Sequence, residues 1–292
     1  MQLGAVGTQL RPTNFSRGHG DAKVFRKVSR LMCTLAVYHS VSGRWPLIVA
    51  ANRDEFYARA TAAPTSLQAP FGVLAGRDLE AGGTWLGLAK QERPFVVAVL
   101  NRREPDGPAA ATVAGQRSRG LLCSDLLEAE DFDAALTRLD AMDVRAYAGF
   151  NLLLAEPGRA LVLDNRNDNR ADNRAIAWRT TLDPGLAVLT NLNLNDPRCP
   201  RLAGAVGTFE SALPLVQSDP SADVLAATLG GLLGNHQVTD SNVDSGPFAR
   251  LCVHVDGYGT RSASMIAVAD DGEGAYFHGD GPPCRTPLVR VL

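Results

Sequence analysis

The strands predicted for this chain are apolar on both of their faces. Residues 95–100 (Phe-Val-Val-Ala-Val-Leu) and 150–154 (Phe-Asn-Leu-Leu-Leu) lack the regular alternation of apolar and polar side chains that marks a strand with one face in solvent. Other elements must therefore cover both sides of the sheets. Residues 150–154, 160–163, 176–178 and 186–189 are predicted to form a meander, and two last strands, at 251–255 and 265–269, are predicted to close the chain. The strands come in blocks separated by helical stretches over residues 118–141 and about 198–233, the second broken near Pro214 and Pro220, without strict alternation of strand and helix. This pattern predicts an α+β fold built as a layered sandwich.

The first two predicted strands form a hairpin. Residues 33–38 and 47–51 are short apolar runs, rich in β-branched side chains, on either side of the sequence Ser-Gly-Arg centred on Gly43. A pairing symmetric about Gly43 places Cys33 opposite Arg53. Directly opposed residues of an antiparallel pair project from the same face with Cβ atoms roughly 5 Å apart, close enough for a guanidinium to stabilise a thiolate.

Cys33 follows Met32 directly, and this junction suggests a catalytic role. If translation starts at Met32 and that methionine is trimmed, Cys33 carries a thiol and a free α-amine, and the amine can act as the base for the thiol. Asp54, at the strand end, is expected to curl back and hold that amine. The alternative is a surface hairpin whose cysteine is simply buried and whose Asn-Arg-Asp-Glu run at 52–55 is a solvated turn.

The charge of the chain is distributed unevenly. Residues 1–32 contain six basic side chains and one acidic one, a net charge of +5, and because the whole chain is at −2, residues 33–292 carry −7. An acidic body argues against nucleic-acid binding. We predict a basic leader over residues 1–32 that is not part of the mature fold, followed by a single domain over 33–292. The leader is interpreted as an over-extended gene start, with a removable propeptide and a retained arm as alternatives.

The cysteines and histidines show no familiar spacing. The five cysteines (33, 123, 199, 252 and 284) are odd in number, without a Cys-x-x-Cys pair or the Cys/His spacing of a zinc site. This predicts reduced thiols in the cytoplasm and neither a metal nor another cofactor. No apolar run approaches the roughly eighteen residues of a membrane span. The histidines at 39, 236, 254 and 278 are scattered, and no spacing favours one of them as the partner in a Cys–His dyad.

Two further polar residues lie at strand ends. Asn191 ends a buried strand, where its amide could donate to a developing oxyanion, an interaction that contributes about 3 kcal/mol where present; the alternative is an asparagine that closes a turn. Arg261 starts a strand and could hold a substrate anion or the thiolate, although an ordinary surface arginine explains it equally well.

Six short motifs, taken together, resemble the NRDE-domain proteins, the transport and Golgi organisation family. They are Met-Cys-Thr at 32–34, Ala-Asn-Arg-Asp-Glu-Phe-Tyr at 51–57, Gly-Gly-Thr-Trp-Leu-Gly at 82–87, Gly-Phe-Asn-Leu at 149–152, Thr-Asn at 190–191 and Gly-Tyr-Gly-Thr-Arg at 257–261. Each motif is weak alone, but six in this order are specific. The resemblance covers about residues 32–270.

The resemblance implies a four-layer αββα sandwich similar to that of the N-terminal nucleophile (Ntn) hydrolases of the penicillin V acylase and bile salt hydrolase group. By similarity Cys33 is the nucleophile, its α-amine is the base, and Arg53 and Asp54 are the activating pair. The other implied site residues are the oxyanion donors or substrate contacts Asn191, Asn101, Asn52 and Trp85 and the site cation Arg261. Two features depart from the acylases. They carry an Arg-x-x-Asp arrangement, whereas Arg53 and Asp54 are adjacent, and a peptide-bonded Cys33 has no free amine.

The resemblance implies two functions. The first is a cytoplasmic cysteine hydrolase that acts on a non-peptide amide or related acyl bond. The second follows from the association of eukaryotic members with secretory-pathway organisation, lipid metabolism and haem mobilisation, and is a non-catalytic protein that binds haem or an acyl lipid in the same pocket. A Cys–His hydrolase without a free terminus is a third reading. The expected partner is a small acyl or amide substrate, haem or a lipid, and the motifs do not indicate an oligomeric state.

Overall fold

The computed structural model describes residues 33–67, 72–103, 115–165, 178–238 and 246–292, so the predicted leader lies outside the described residues. The strands are β1 (Thr34–His39), β2 (Leu47–Phe56), β3 (Thr61–Leu67), β4 (Val73–Asp78), β5 (Leu86–Ala89), β6 (Phe95–Asn101), β7 (Phe150–Glu156), β8 (Arg159–Asp164), β9 (Trp178–Thr181), β10 (Gly185–Leu189), β11 (His254–Val255), β12 (Tyr258–Val268), β13 (Gly274–Gly279) and β14 (Val289–Arg290).

The α-helices lie in two groups, between β6 and β7 and between β10 and β11. They are α1 (Arg119–Leu127), α2 (Phe132–Asp140), α3 (Leu202–Glu210), α4 (Leu213–Gln217) and α5 (Ala222–Leu233), and single 3-10 turns cover Val144–Ala146 and Gly246–Ala249. Side-chain oxygens of Ser118, Asp131 and Ser221 cap the N-termini of α1, α2 and α5. Pro214 stands in the first turn of α4, and Pro220 immediately precedes the cap of α5. The helix breaks predicted at these prolines are therefore confirmed.

The strands form two antiparallel sheets, so the fold is mixed α and β. Within the described ranges the first sheet has the order β10-β1-β2-β12-β13-β14, with β11 also paired to β12. The second runs in chain order from β3 to β9. Helix α1 contacts β5 and β6 of the second sheet, whereas α3 contacts β10 and α5 contacts β2 and β12 of the first.

Neighbouring residues of one strand contribute to different hydrophobic cores. In β1, Tyr38 packs with residues of α3 and α5, whereas Val37 packs with residues of the second sheet such as Val96. In β6, Val97 packs with residues of α1 and α2. Because successive side chains of a strand point to opposite faces, these strands are buried on both sides. The apolar pattern of the sequence predicted this burial correctly.

The predicted hairpin register is confirmed. Strands β1 and β2 pair antiparallel with Thr34 opposite Asn52, the symmetry about Gly43 that the apolar runs indicated. One residue further out, the same register places Cys33 opposite Arg53.

The structure corrects the predicted strand order in three places. Strand β10 does not continue a meander with β7 and β8 but pairs with β1 in the first sheet. Strands β3 and β4 were not predicted, because the sequence of β3, Thr-Ala-Ala-Pro-Thr-Ser-Leu, has no apolar alternation. The chain does not close with β12, since β13 and β14 follow it.

Candidate active site

A pocket lies at the open end of the β1–β2 hairpin, between the two sheets. Cys33 and Arg53 line it from the first sheet, and Trp85 and Leu100 line it from the side of the second. The space between its walls, open solvent included, is about 370 Å³. The confirmed register, continued by one residue beyond Thr34 and Asn52, sets Cys33 opposite Arg53, and both residues line the same pocket.

Arg53 is held in the pocket wall by an aromatic ring and two carboxylates. Its guanidinium carbon lies 4.4 Å from the centre of the Trp85 ring, and its Nη2 lies 3.7 Å from a carboxylate oxygen of Glu55 and of Asp78. The side chain is 8% exposed, and its Nη1 has no hydrogen-bond partner among the described residues. Burial lowers the pKa of Arg53, and Glu55, Cys33 and Asp78 oppose that effect. A buried donor of this kind can bind an oxygen atom of a ligand.

Asn191 binds the main chain of Cys33. The Cys33 N–H donates to Asn191 Oδ1 at 2.5 Å, and Asn191 Nδ2 donates to the carbonyl oxygen of Asn101. Asn191 is buried in the turn that follows β10. Its amide is therefore used to hold the nucleophile candidate and the end of β6 together. The sequence had suggested Asn191 as an oxyanion donor, but in this structure its Nδ2 is already engaged.

Asp54 turns away from the pocket, which corrects the expectation that it curls back toward the α-amine. Its carboxylate accepts hydrogen bonds from Arg201 Nη1 at 2.9 Å and from Thr260 Oγ1 at 2.7 Å. Arg201 Nη1 also lies 3.0 Å from Thr34 Oγ1. Adjacent strand residues face opposite sides, so Asp54 ties β2 to β12 and to the start of α3 behind the pocket. Its main-chain oxygen lies 3.7 Å from Cys33 Sγ.

The thiol of Cys33 is held in its protonated form. Burial is the main cause that raises its pKa from 9.0 to about 12, and the carboxylates of Asp54 and Glu55 raise it further. Arg53 lowers it, as the hairpin argument predicted, but by less than burial raises it. The expectation of a low Cys33 pKa is therefore wrong in its net direction. Such a thiol needs a base beside it before it can attack.

The side-chain amide nitrogen of Asn52 is already engaged by main-chain carbonyls, and Asn101 contacts the site through its own main-chain carbonyl. Asn52 Nδ2 donates to the carbonyl oxygens of Leu233 and Leu251, each at 2.9 Å. The carbonyl oxygen of Asn101 accepts from Asn191, and the Asn101 side chain is exposed. Both residues support the end of the hairpin and its neighbour β6.

Arg261 lies in a bulge of β12 and pairs with a carboxylate. The register of β12 against β2 shifts between Thr260 and Ser262, which leaves Arg261 as the extra residue. Its Nη1 lies 2.5 Å from an oxygen of Asp280. Ser262, its neighbour, lines the pocket. The structure thus brings Ser262 rather than Arg261 to Cys33.

The described histidines take no part in the Cys33 pocket. His278 Nδ1 lies 2.9 Å from the hydroxyl of Ser264 in β12. His236 and His254 lie next to each other, with ring centres 5.2 Å apart, at another place in the fold. Within the part of the chain that the structure describes, no histidine lines the Cys33 pocket, so none forms a Cys–His dyad with Cys33 there.

Two buried residues that build the site were missed by sequence reasoning. Asn151 Nδ2 donates to the carbonyls of Thr190 at 2.8 Å and Leu192 at 2.6 Å, and so fixes the turn on both sides of Asn191. Arg201 is 0% exposed at the start of α3. A polar side chain inside an apolar strand was the available signal for Asn151. Nothing in the sequence around Arg201 indicated its burial.

The comparison with known proteins decides the family. The family model described as Transport and Golgi organisation 2 matches residues 32–279. The chain belongs to this family. The resemblance carried by the six motifs is thereby confirmed at the level of the Transport and Golgi organisation 2 family.

Mammalian members of the Transport and Golgi organisation 2 family match most of the chain, and an insect member matches a shorter part of it. The Transport and Golgi organization protein 2 homolog of Homo sapiens is 31% identical over 247 residues, which cover 77% of this chain and 83% of that protein. The Bos taurus homolog is 30% identical over 245 residues with the same coverage. Transport and Golgi organization protein 2 of Drosophila melanogaster is 33% identical over 125 residues, 40% of this chain and 42% of that protein.

A solved structure also matches this family member, but weakly. It is Anbu (ancestral beta-subunit) from Yersinia bercovieri, with 12% identity and a TM-score of 0.32 over 89% of this chain and 88% of that one. A similarity of this size carries no argument about fold or chemistry. In the described ranges, none of the helices combines the length and the apolar character needed to cross a membrane.

Proposed function

We propose that this chain is an Ntn-type cysteine hydrolase that cleaves a non-peptide amide or a related acyl bond, with Cys33 as the nucleophile once residues 1–32 have been removed. The hydrogen bond from the Cys33 nitrogen to Asn191 Oδ1 carries the proposal, because it fixes the atom that would become the α-amine beside its own thiol. We also propose that the two sheets and their helices form an αββα sandwich. The three hydrophobic cores, one shared by the sheets and two shared with helices, support it.

Removal of the leader would change the chemistry of the Cys33 nitrogen. In the full chain this atom is an amide nitrogen whose lone pair is delocalised, so it cannot serve as a base. An α-amine has a pKa of about 7.7–8.0 and can accept a proton near neutral pH. Because the Cys33 thiol has a pKa raised to about 12, it depends on such a base.

The proposed reaction has two stages, acylation of Cys33 and hydrolysis of the resulting thioester. The α-amine takes the thiol proton while Sγ attacks the carbonyl carbon, and Arg53 Nη1 donates to the oxygen that becomes negative. The carbon–nitrogen bond breaks, the leaving amine takes the proton from the α-ammonium, and a thioester on Cys33 remains. A water molecule that gives a proton to the same α-amine hydrolyses the thioester, which releases the acid and restores the thiol.

The pocket favours a compact acyl group. The pocket is small, because the 370 Å³ of space between its walls includes open solvent. Its apolar lining residues are Leu35, Ala51, Trp85, Leu86, Val99 and Leu100. A short acyl chain against this wall, with its carbonyl at Cys33 and Arg53, suits the pocket better than a macrocycle such as haem. None of the five cysteines, all of them among the described residues, is paired in a disulfide, which supports a cytoplasmic location.

The test compares three forms of the protein. A chain that begins at Cys33, released from a cleavable fusion, is assayed on a panel of acyl amides beside the chain of residues 1–292 and the Cys33→Ala variant. We expect turnover only in the first, with Cys199→Ala as a cysteine control that keeps it. Intact mass of the protein from its native host should show a chain that begins at Cys33. Retention of residues 1–32, together with no turnover by the Cys33 form, would overturn the proposal.

One observation favours a second candidate, a non-catalytic carrier of an acyl lipid or haem in the same pocket. A thiol with a pKa of about 12 is inert at neutral pH as long as residues 1–32 are attached. A carrier would bind its ligand through the pocket wall, so Cys33→Ala would keep the affinity for acyl ligands or haem and would restore function in cells. Binding by calorimetry for the wild type and Cys33→Ala, run beside the hydrolysis panel, separates the two functions.

A further inference from the structure

Four side chains with metal-binding atoms meet at a place outside the Cys33 pocket. His236, Cys252, His254 and Cys284 each offer one ligand atom, and these four atoms all lie within 4.8 Å of one another. The two sulfur atoms are 3.7 Å apart. His254 Nε2 lies 3.5 Å from the sulfur of Cys252 and 3.2 Å from that of Cys284.

The fold brings these residues together from three distant segments. Cys252 lies just before β11 and His254 is the first residue of β11, so one short segment supplies two of the four side chains. The Cys252 N–H donates to the carbonyl of Asn235 at 3.0 Å, which ties this segment to the chain just after α5. Cys284 follows β13 and packs so closely on Gly234 that a Cβ built there would lie 3.1 Å from the Cys284 Cα.

The three distances among Cys252, His254 and Cys284 are close to the edges of a zinc tetrahedron, and the ligand atom of His236 lies within 4.8 Å of the other three. Zinc binds thiolate sulfur at about 2.3 Å and imidazole nitrogen at about 2.0–2.1 Å, so a tetrahedral site has a sulfur–sulfur edge of about 3.8 Å and a sulfur–nitrogen edge of about 3.5 Å. The observed 3.7 Å and 3.5 Å edges agree with these values, and the 3.2 Å edge is slightly shorter. A disulfide, by contrast, needs sulfur atoms at about 2.05 Å.

A main-chain carbonyl supports one of the imidazoles. His236 Nδ1 lies 3.0 Å from the carbonyl oxygen of Cys252. A proton on Nδ1 that is donated to this carbonyl leaves the lone pair on Nε2. Histidines that bind metals commonly donate their other ring N–H to a carbonyl or carboxylate in this way, which fixes the tautomer.

We propose that His236, Cys252, His254 and Cys284 bind one Zn²⁺ ion in a closed tetrahedral site. Two thiolates and two neutral imidazoles leave the site with no net charge, and a donor set of two sulfurs and two nitrogens in this geometry is that of zinc. Because four protein ligands leave no open position, the ion has a structural role. It joins the end of α5, the segment before β12 and the segment after β13. This site is independent of the proposed hydrolase function.

The test measures zinc directly in the full chain. Protein purified under reducing conditions is analysed for metal content by mass spectrometry, and we expect about one zinc per chain. Cys284→Ser and His254→Ala should lose it, whereas Cys33→Ser, a cysteine variant outside the cluster, should keep it. Replacement of zinc by Co²⁺ should give the visible bands and the thiolate charge-transfer absorption of a tetrahedral cobalt site, and Cys284→Ser should abolish them.

A second measurement covers the case in which the ligand variants do not fold. In the wild type, Cys252 and Cys284 should resist alkylation until a chelator is added, and the chelator should lower the melting temperature because the metal stabilises the fold. A reduced wild-type protein without zinc, without a cobalt spectrum and with both thiols freely labelled would overturn the proposal. A disulfide between Cys252 and Cys284 in metal-free protein from the native host would do the same.

Discussion

The main-chain nitrogen of Cys33 donates a hydrogen bond to the side-chain oxygen of Asn191, 158 positions further along the chain. The contact joins the start of β1 to the turn after β10, two strands that lie side by side in the first sheet. Through its Nδ2, Asn191 also binds Asn101 at the end of β6 in the second sheet. One buried amide therefore positions the cysteine relative to both sheets.

Loss of the Asn191 amide should impair catalysis more than folding. In the chain that begins at Cys33, we expect Asn191→Ala to lower kcat by about a hundredfold or more, because a small misplacement of a reacting group has an effect of this size. Asn193→Ala, in the same turn, removes a different side-chain hydrogen bond, the one that Asn193 Oδ1 accepts from Arg102 Nε at 2.9 Å, and is the control for the loss of a turn amide. Steady-state kinetics and circular dichroism on both variants check this, and an unchanged kcat for Asn191→Ala would remove Asn191 from the mechanism.

The buried pair of Arg201 and Asp54 should dominate local stability. Both side chains are 0% exposed and 2.9 Å apart, so Arg201→Met leaves a buried carboxylate without its partner, a change that costs about 3–5 kcal/mol of unfolding free energy. Urea denaturation measures it. The double variant Arg201→Met/Asp54→Asn should lose less than the sum of the single variants. Arg145→Met, which removes an exposed arginine beside Asp143, should leave the unfolding midpoint unchanged.

The rate at which Cys33 reacts with an alkylating reagent should depend on Arg53. Arg53 lowers the pKa of Cys33, so Arg53→Met should raise it further and slow alkylation of Cys33 in the full chain at alkaline pH. Arg77→Met, in an exposed position on β4, is the matched control. Rates of iodoacetamide labelling followed by peptide mass spectrometry give the comparison. Equal rates in Arg53→Met and wild type would contradict the electrostatic role of Arg53.

His278 should make the fold sensitive to acid. Burial lowers the pKa of His278 from 6.5 to about 4, and its Nδ1 lies 2.9 Å from Ser264 Oγ. Between these pH values His278 is protonated in the unfolded chain but not in the folded chain. The contribution of neutral His278 to the unfolding free energy is therefore fully present above pH 6.5 and is lost as the pH falls towards 4. The expected loss is about 3 kcal/mol. In His278→Gln the unfolding free energy should depend less steeply on pH across this range. An equally steep pH dependence in that variant would show that groups other than His278 cause it.

Gly83 should tolerate no side chain. Its φ is +76°, and a Cβ there would lie 2.1 Å from the carbonyl carbon of Gly120 in α1. Gly83→Ala combines left-handed strain with a backbone clash, and we expect a loss of about 3 kcal/mol or more. Gly82 has φ +70° but meets only a Leu121 methyl at 3.5 Å, so Gly82→Ala should show the strain alone, about 1–2 kcal/mol. Thermal unfolding of both variants checks the difference.

Local patterns predicted the parts of the fold that depend on neighbours in the chain. The hairpin register followed from apolar runs symmetric about Gly43, and the helix breaks followed from Pro214 and Pro220. The sequence could not place β10, because a short apolar strand fits equally well at the edge of either sheet. It also could not reveal β3, whose polar sequence is a strand only because β4 supplies its hydrogen bonds.

For the site, the sequence by itself determined that Cys33 faces Arg53, because strand pairing and the two-residue alternation of side chains are local rules. The family motifs singled out Asn191 but not its contact with Cys33. Only the tertiary structure turned Asp54 toward Arg201, and only it raised the pKa of Cys33, since burial depends on every segment packed around a group. The tertiary structure also brings together His236, Cys252, His254 and Cys284. Ligands from segments far apart in the chain leave no spacing in the sequence, and they come within bonding distance of one metal only when the fold brings those segments together.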